Sequence, residues 1–277
     1  MRRQWESMSK KLLAGPYLLW MAGFIIIPLA LIVYYGVTDK SGAFTLANIM
    51  SMATPEHRKA LWLSLELSFI STVICLILAY PLAMILRNRG MGQGSFIVFI
   101  FILPMWMNFL LRTLAWQTLL EKSGVINGIL TALHLPRQNL INTPSAIVLG
   151  MVYNFLPFMV LPIYNVLCKI EDNTINAARD LGANFFQTLI WIWLPLSVPG
   201  IISGITMVFV PALTTFVISN LLGGSKILLI GNVIEQEFTK SSNWNLGSGL
   251  SLVLMLFILL SMALIAKYDK NGEGSAF

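Results

Sequence analysis

Charged residues are scarce in this sequence: Asp, Glu, Lys and Arg together make up 11% of its 277 residues. A soluble domain usually carries about 25% charged residues. So few charges cannot solvate the surface of a large globule, which excludes an ordinary soluble domain. Apolar residues make up 57% of the chain, and the mean hydropathy is +0.77. The composition therefore predicts a protein whose solvent is a lipid bilayer.

Residues typical of enzyme centres are also missing. No Gly-x-x-x-x-Gly-Lys-Ser/Thr loop is present, which excludes the standard cradle for ATP phosphates. The histidines, His57 and His134, lack metal-ligand spacing, and no paired carboxylates fall at membrane depth. We therefore expect a chain that is not itself an enzyme and binds neither metal nor cofactor. Cys75 and Cys168 lie in or beside apolar runs, and we predict buried thiols at both positions.

What the sequence does contain is a series of long apolar runs. A membrane-spanning helix needs about 20 mostly apolar residues. Six runs qualify, at about 12–36, 61–86, 95–115, 145–168, 189–218 and 246–266. We predict an all-α integral membrane protein in which residues 1–277 form one transmembrane domain of six helices.

The basic residues predict the orientation of these helices. With both termini in the cytoplasm, the inner segments hold ten Lys or Arg in fifty residues, and the outer segments hold seven in eighty. Lys and Arg concentrate in cytoplasmic loops of membrane proteins. We therefore interpret the net charge of +6 as a topology signal and expect both termini in the cytoplasm.

The segment 173–188 between the fourth and fifth runs is apolar but interrupted by Arg179, Asp180 and several amides. We predict a short helix that starts at Asp172 or Asn173, both good N-caps, and ends at Gly182. Asn184 and Gln187 then form a capping pair that opens the next helix. One side of this segment is predicted to carry Ile175, Ala178, Leu181 or Gly182, Phe185 and Leu189. An ordinary amphipathic loop at the membrane surface remains the alternative.

The run 177–183 (AARDLGA), followed by Leu194-Pro195 and Pro199-Gly200, resembles the EAA signature of binding-protein-dependent ABC importer permeases. In that family the signature forms coupling helices that dock in a groove of the cytoplasmic ATPase. Asn176 departs from the pattern, because the family usually has Glu there. The resemblance assigns the ATPase-coupling role to Asn176, Ala177, Ala178, Arg179, Asp180, Leu181, Gly182, Ala183 and Pro195.

Further stretches are similar to PotB-type permeases of spermidine/putrescine importers, including 143–146, 156–164 and 222–232. This resemblance implies a multi-pass protein of the bacterial cell membrane with a type I ABC importer permease (MetI-like) fold. The resemblance also implies that the chain forms one half of a heteromeric path for polyamines. It also implies a PotC-type second permease, a dimer of PotA-type ATPases that binds ATP and Mg, and an external PotD-type binding protein. Nucleic acid is not among the expected partners, and another small organic solute is the alternative substrate.

Glu66 and Arg112 are the charged residues within the six runs. Charges at membrane depth are costly and often functional. They could form an ion pair or extend to the headgroups, or Glu66 could line the path and attract an ammonium group. For a polyamine, aromatic faces, amides and a few acids are suitable contacts. Glu235 and Glu237 could attract an ammonium group too, could contact the binding protein, or could simply be solvated loop acids. For the uncharged candidates, core packing is the alternative. The path candidates are Glu66, Trp106, Asn108, Arg112, Tyr153, Asn154, Tyr164, Thr215, Phe216, Asn220, Glu235 and Glu237.

Two other classes of membrane protein compete with this interpretation. An ion-driven secondary carrier usually has relay acids inside the membrane and two similar halves. The sequence shows neither feature. A non-transporting scaffold would have no use for the coupling signature.

Overall fold

The computed structural model describes residues 15–88, 103–224 and 226–268, and all regular structure in these ranges is helical apart from one isolated β-bridge. Five of the described helices are long and apolar enough to cross a membrane. They are α1 (Gly15–Gly36), α3 (Pro55–Asn88), α6 (Pro144–Leu167), α8 (Phe185–Thr214) and α11 (Trp244–Tyr268, apolar to Ala263). The shorter helices are α2 (Ala47–Met50), α4 (Phe109–Leu120), α5 (Val125–Ala132), α7 (Asp172–Asp180), α9 (Val217–Leu222) and α10 (Ile230–Thr239).

The described helices agree with five of the six predicted apolar runs. The run predicted at 95–115 lies partly outside the described residues, and its described part contains a 3-10 turn, Leu103–Trp106, and the start of α4. Residues 12–14 of the first run also lie outside them. The structure thus supports the all-helical membrane class and leaves the sixth helix a prediction.

Helix α8 is displaced by four residues at each end from the fifth predicted run, about 189–218. Helix α8 starts at Phe185 and contains a π-helical turn, Leu189–Trp193. It ends at Thr214, because Thr215 is extended (φ −65°, ψ 139°). The Thr214 hydroxyl donates to the Val210 carbonyl at 3.1 Å, a local bond that competes with regular helix geometry. Hydropathy cannot detect such a break, because the residues on both sides of it are apolar.

The chain separates into two compact units. The described part of the first is 15–58 with Val233–Phe257. Within it, the Asn245 amide donates to the carbonyls of Thr38 (2.7 Å) and Tyr35 (3.2 Å). Asn48 donates to the same Thr38 carbonyl at 2.8 Å. The side-chain amides of Asn245 and Asn48 thus connect the end of α1 to the start of α11 and to α2.

The second unit holds residues 59–88, 103–224, 226–232 and 258–268 of the described chain. Its core is apolar, and its closest helix contact joins α6 and α8. A Cβ atom at Gly200 would lie 2.8 Å from the Pro162 carbonyl oxygen, and one at Gly204 would lie 2.6 Å from the Met159 sulfur. Small residues four positions apart let helix backbones approach closely. This contact fixes α8 against α6 along its length.

Candidate functional site

Helix α7 ends in a glycine turn of the kind that the sequence predicts. Gly182 has φ +84°, a left-handed conformation that favours glycine. Its N–H donates to the Arg179 carbonyl at 2.9 Å, and the Ala183 N–H donates to the Ala178 carbonyl at 3.0 Å. These two bonds form a Schellman motif, which satisfies carbonyls at the helix end. The chain therefore turns sharply between α7 and α8.

The predicted capping pair is present at the start of α8. The Asn184 side chain accepts from the Gln187 N–H at 2.9 Å, and the Gln187 side chain accepts from the Asn184 N–H at 2.8 Å. The predicted N-cap of α7 was wrong. Asp172 is already the first helical residue, and Glu171 is the cap position, without a side-chain cap bond. The Asp172 carboxylate instead contacts Arg87, at 2.7 Å.

The residues predicted to share one side of the segment 173–188 do not share one environment in the structure, because some are buried and others are exposed. Ile175 is buried in the core of the second unit, and Ala178 is half-buried. Leu181 is 90% exposed, and Phe185 is exposed as well. Because the left-handed Gly182 turns the chain, the helical period of α7 does not continue into α8. The turn and the first residues of α8 therefore present apolar side chains outward, and Phe186 joins them with its ring edge-on to Phe185.

Most of the remaining predicted coupling residues lie close together on α7. Asn176, Ala177, Arg179 and Asp180 are exposed there, whereas Pro195 is exposed farther along α8, two residues after its π-helical turn. Because the exposed side chains of Asn176 and Ala177 are small, this part of the α7 surface carries no bulky group. The segment 172–188, from α7 through the glycine turn to the first turn of α8, is called the coupling segment below.

A cleft of about 670 Å³ lies beside the coupling segment. Its polar lining includes Arg87, Lys169, Asp172, Asn176 and Arg179. Arg87 comes from the end of α3, and its guanidinium also lies 4.6 Å from the centre of the Trp193 ring. The end of α3, the end of α6 and both helices of the coupling segment therefore meet around one cleft.

The path candidates of α4 and α6 lie in one polar cluster. Arg112 is buried, with its guanidinium 5.8 Å from the centre of the Tyr153 ring. The Tyr153 ring stands edge-on to Trp116, with centroids 5.3 Å apart. Asn154 is buried and donates to the Gly150 carbonyl at 2.8 Å and to the Thr113 hydroxyl at 3.4 Å. These contacts fit a role in joining α4 to α6.

A second cluster surrounds the break between α8 and α9, where Thr215, Phe216 and Asn220 lie. Its centre is Asn232, which is fully buried. The Asn232 amide nitrogen donates to the Phe216 carbonyl (3.0 Å) and to the Asn220 side chain (2.8 Å). Its oxygen accepts from the Leu229 N–H (3.0 Å) and from the Ser219 hydroxyl. All four hydrogen-bonding positions of this amide are thus occupied.

The structure does not bring the other path candidates together. Glu66 is exposed on α3, and within the described residues no ion pair joins it to Arg112. Asn108 caps α4 by accepting from the Leu110 N–H at 2.9 Å, and Trp106 is exposed just before it. Tyr164 is half-buried on α6. Glu235 and Glu237 lie on α10 within the first unit.

Arg87, Ser64 and Asn232 received no structural or functional role in the predictions from the sequence. Arg87 counted only as a positive charge at the end of a span, although its position at the helix end could have suggested a contact with carbonyls. Asn232 occurs in a stretch quoted for its resemblance but received no role. Cys168 was also misjudged: Cys75 is buried, whereas Cys168 is exposed. It follows the last residue of α6, where the apolar run leaves the core.

Residues 69–270 match the family described as "Binding-protein-dependent transport system inner membrane component". The chain belongs to this family. A curated relative, "Spermidine/putrescine transport system permease protein PotB" of Haemophilus influenzae, is 35% identical over 260 residues, which cover 91% of this chain and 90% of the relative. The chain is therefore a multi-pass inner-membrane permease subunit of a transport system that depends on a binding protein.

Solved structures agree on the fold. A bacterial ABC transporter that imports the acidic polysaccharide alginate matches with a TM-score of 0.76 at 17% identity, covering 98% of this chain and 100% of that one. The MetNI methionine ABC transporter matches with a TM-score of 0.52 at 18% identity, covering 77% and 92%. At such identities the likeness shows the fold alone. The predicted MetI-like ABC importer permease class is confirmed.

Proposed function

We propose that this chain forms half of the membrane path of an ATP-driven importer of polyamines, spermidine or putrescine. The observation that carries the proposal is the 35% identity to the PotB permease across nearly the whole of both chains. The fold alone does not define the substrate, since the similar alginate importer carries an acidic polymer. The substrate therefore has to be argued from the relative and from the chain's own residues.

The partners in this proposal are a PotC-type permease, a PotA-type ATPase dimer that binds ATP and Mg, and a PotD-type binding protein. The chain itself contributes no ATPase site, cofactor or metal. Both termini and the coupling segment face the cytoplasm. The exposed Leu181, Phe185 and Phe186 then meet the ATPase, because a groove that accepts a short helix buries apolar side chains on its surface.

The geometry narrows the candidates for contact with a polyamine. The Tyr153 ring already faces the guanidinium of Arg112, and Asn108 and Asn154 are engaged with backbone groups. Phe216 is exposed beside the end of α8, whose last turn contains no basic residue. The carboxyl end of a helix carries partial negative charge, which attracts an ammonium group. Phe216, at this helix break, and the exposed Glu66 are the residues best placed for the role, whereas the Asn220 side chain already accepts from Asn232.

The test is uptake by proteoliposomes that contain the full complex. Radiolabelled spermidine or putrescine should accumulate only when the binding protein is outside and ATP is supplied to the ATPases. Uptake driven by a proton or sodium gradient without ATP would refute the importer proposal. ATP-dependent uptake of a different organic cation, with none of spermidine or putrescine, would refute only the substrate.

A further inference from the structure

The end of α3 contacts the chain on both sides of the coupling segment through one side chain, that of Arg87. Before the segment, its Nε–H donates to the Leu167 carbonyl at 3.2 Å, and its Nη2 donates to the Ile170 carbonyl at 2.7 Å. The same Nη2 donates to the Asp172 carboxylate at 2.7 Å. After the segment, the guanidinium lies over the ring of Trp193. Arg87 thus connects α3, the end of α6, the start of α7 and the π-helical turn of α8.

These contacts differ in how far they are shielded from water. The Arg87 side chain is only 13% exposed, whereas that of Asp172 is 79% exposed. An exposed ion pair contributes little to stability. Leu167 is the last residue of α6, and a guanidinium at a helix end satisfies carbonyls that have no partner within the helix. The carbonyls and the buried Trp193 ring therefore hold Arg87 more strongly than the carboxylate does.

A second contact fixes the same two helices two turns away. The Tyr80 hydroxyl lies 3.0 Å from the Ser197 hydroxyl. Tyr80 precedes Arg87 by seven residues, and Ser197 follows Trp193 by four, so both pairs lie on facing sides of α3 and α8. Pro81 removes a backbone hydrogen bond of α3 just before its attached end. The last two turns of α3 thus contact α8, and they follow Pro81, where one backbone hydrogen bond of α3 is missing.

We propose that Arg87 is a positioning residue that clamps the coupling segment to α3 and to the start of α8. A displacement of α7 then moves the end of α3 with it, because the carbonyl bonds and the ring contact must otherwise break. The inference rests on the proposed function, in which an ATPase moves this segment. Asp172 has a minor part, since its carboxylate is solvated.

The first test measures the position of α7 directly. Spin labels at Asn173→Cys on α7 and Ile85→Cys on α3, both exposed positions, are placed in the full complex after Cys168→Ser and Cys75→Ala. We expect one narrow distance distribution with Arg87 present. Arg87→Ala should broaden it, Arg87→Lys should give an intermediate width, and Asp172→Asn should leave it unchanged.

The second test measures the solute transported per ATP hydrolysed in the same complexes without labels. Arg87→Ala should lower this ratio at least about tenfold, because the loss of even one hydrogen bond to a charged group has an effect of that size. Asp172→Asn should stay within about twofold of the parent, as expected for an exposed pair. Arg137→Ala, which removes an exposed arginine far from the coupling segment in sequence, is the matched control and should change neither readout.

An unchanged, narrow distribution in Arg87→Ala would overturn the proposal, and so would an unchanged transport ratio. Asp172→Asn as harmful as Arg87→Ala would also overturn it, because the ion pair would then be the clamp. If the complex with Arg87→Ala does not assemble, Arg87→Lys provides the test. A distance distribution as narrow as that of the parent, together with the transport ratio of the parent, would overturn the proposal. Intermediate values of both would support it. Transport by the parent complex without ATP would instead refute the proposed function, whatever the label distances.

Discussion

The Ser64 hydroxyl accepts a 2.8 Å hydrogen bond from the backbone N–H of Ile230, and both residues are fully buried. Ser64 lies near the start of α3, and Ile230 is the first residue of α10. Two residues later, Asn232 satisfies the groups around the break after α8. The bond therefore ties α3 to the polar cluster that closes the helix break, at the opposite end of α8 from the coupling segment.

Asn232→Ala should destabilise the protein by about 2–4 kcal/mol. The change leaves the buried Leu229 N–H without its partner and removes the Asn232 bonds to the Ser219 hydroxyl, the Phe216 carbonyl and the Asn220 side chain. A buried group left without a partner costs about 1–3 kcal/mol. Thermal unfolding of the detergent-solubilised protein measures the loss. Asn139→Ala, at an exposed loop position, is the control and should unfold like the parent. Equal unfolding temperatures for both variants would show that the amide network contributes nothing.

Alanine at Gly200 should be more harmful than alanine at Gly204. At Gly200 the new methyl group meets the Pro162 backbone carbonyl, which cannot move alone, whereas at Gly204 it meets the flexible Met159 side chain. Overpacking of this kind costs about 1–3 kcal/mol. The readout is the fraction of protein that remains monodisperse after heating. Gly23→Ala, a glycine in α1 with nothing within 4 Å of the added atom, should be neutral. If alanine at Gly204 were more harmful than alanine at Gly200, the result would contradict the α6–α8 contact described above.

Three substitutions of Gly182 distinguish the effect of backbone conformation from the effect of side-chain bulk. Gly182→Asn keeps a residue that tolerates the left-handed conformation, and Gly182→Ala adds strain with little bulk. Gly182→Trp adds bulk that points into open space in this chain, so only a partner can meet it. We expect normal membrane insertion of all three, substantial uptake by Gly182→Asn and none by Gly182→Trp. Uptake by Gly182→Trp at the parent level would count against docking at this turn. Equal losses in Gly182→Ala and Gly182→Trp would assign the effect to strain.

Glu66→Gln should weaken the stimulation of ATP hydrolysis by spermidine-loaded binding protein about two- to fivefold. The change removes a charge but keeps the size of the side chain, and an exposed ion pair contributes up to about 1 kcal/mol. Glu66 is exposed on α3 and free to contact a solute or a second permease. Glu56→Gln, on the first turn of the same helix, is the matched control. Stimulation that stays at the parent level would return Glu66 to a structural role.

Local chemistry explains which features could be predicted from the sequence. The Gly182 turn and the Asn184–Gln187 capping pair depend on residues within five positions of each other, so a single stretch of sequence determines them. The contacts of Arg87 with Leu167 and Ile170 join positions 80 and 83 residues apart, and no periodicity reveals such pairs. The break at Thr215 interrupts an apolar run without altering its hydropathy. The predicted N-cap of α7 failed because α7 already begins at Asp172, so Glu171 takes the cap position, without a side-chain bond.

The exposed Leu181, Phe185 and Phe186 also have a consequence for making this protein. Apolar side chains grouped on a turn promote aggregation unless a partner covers them. A subunit synthesised in excess of its partners would display this turn to chaperones and proteases. Yield from a single-gene expression system should therefore be limited by degradation, and balanced co-expression with the partner subunits is the route to stable material.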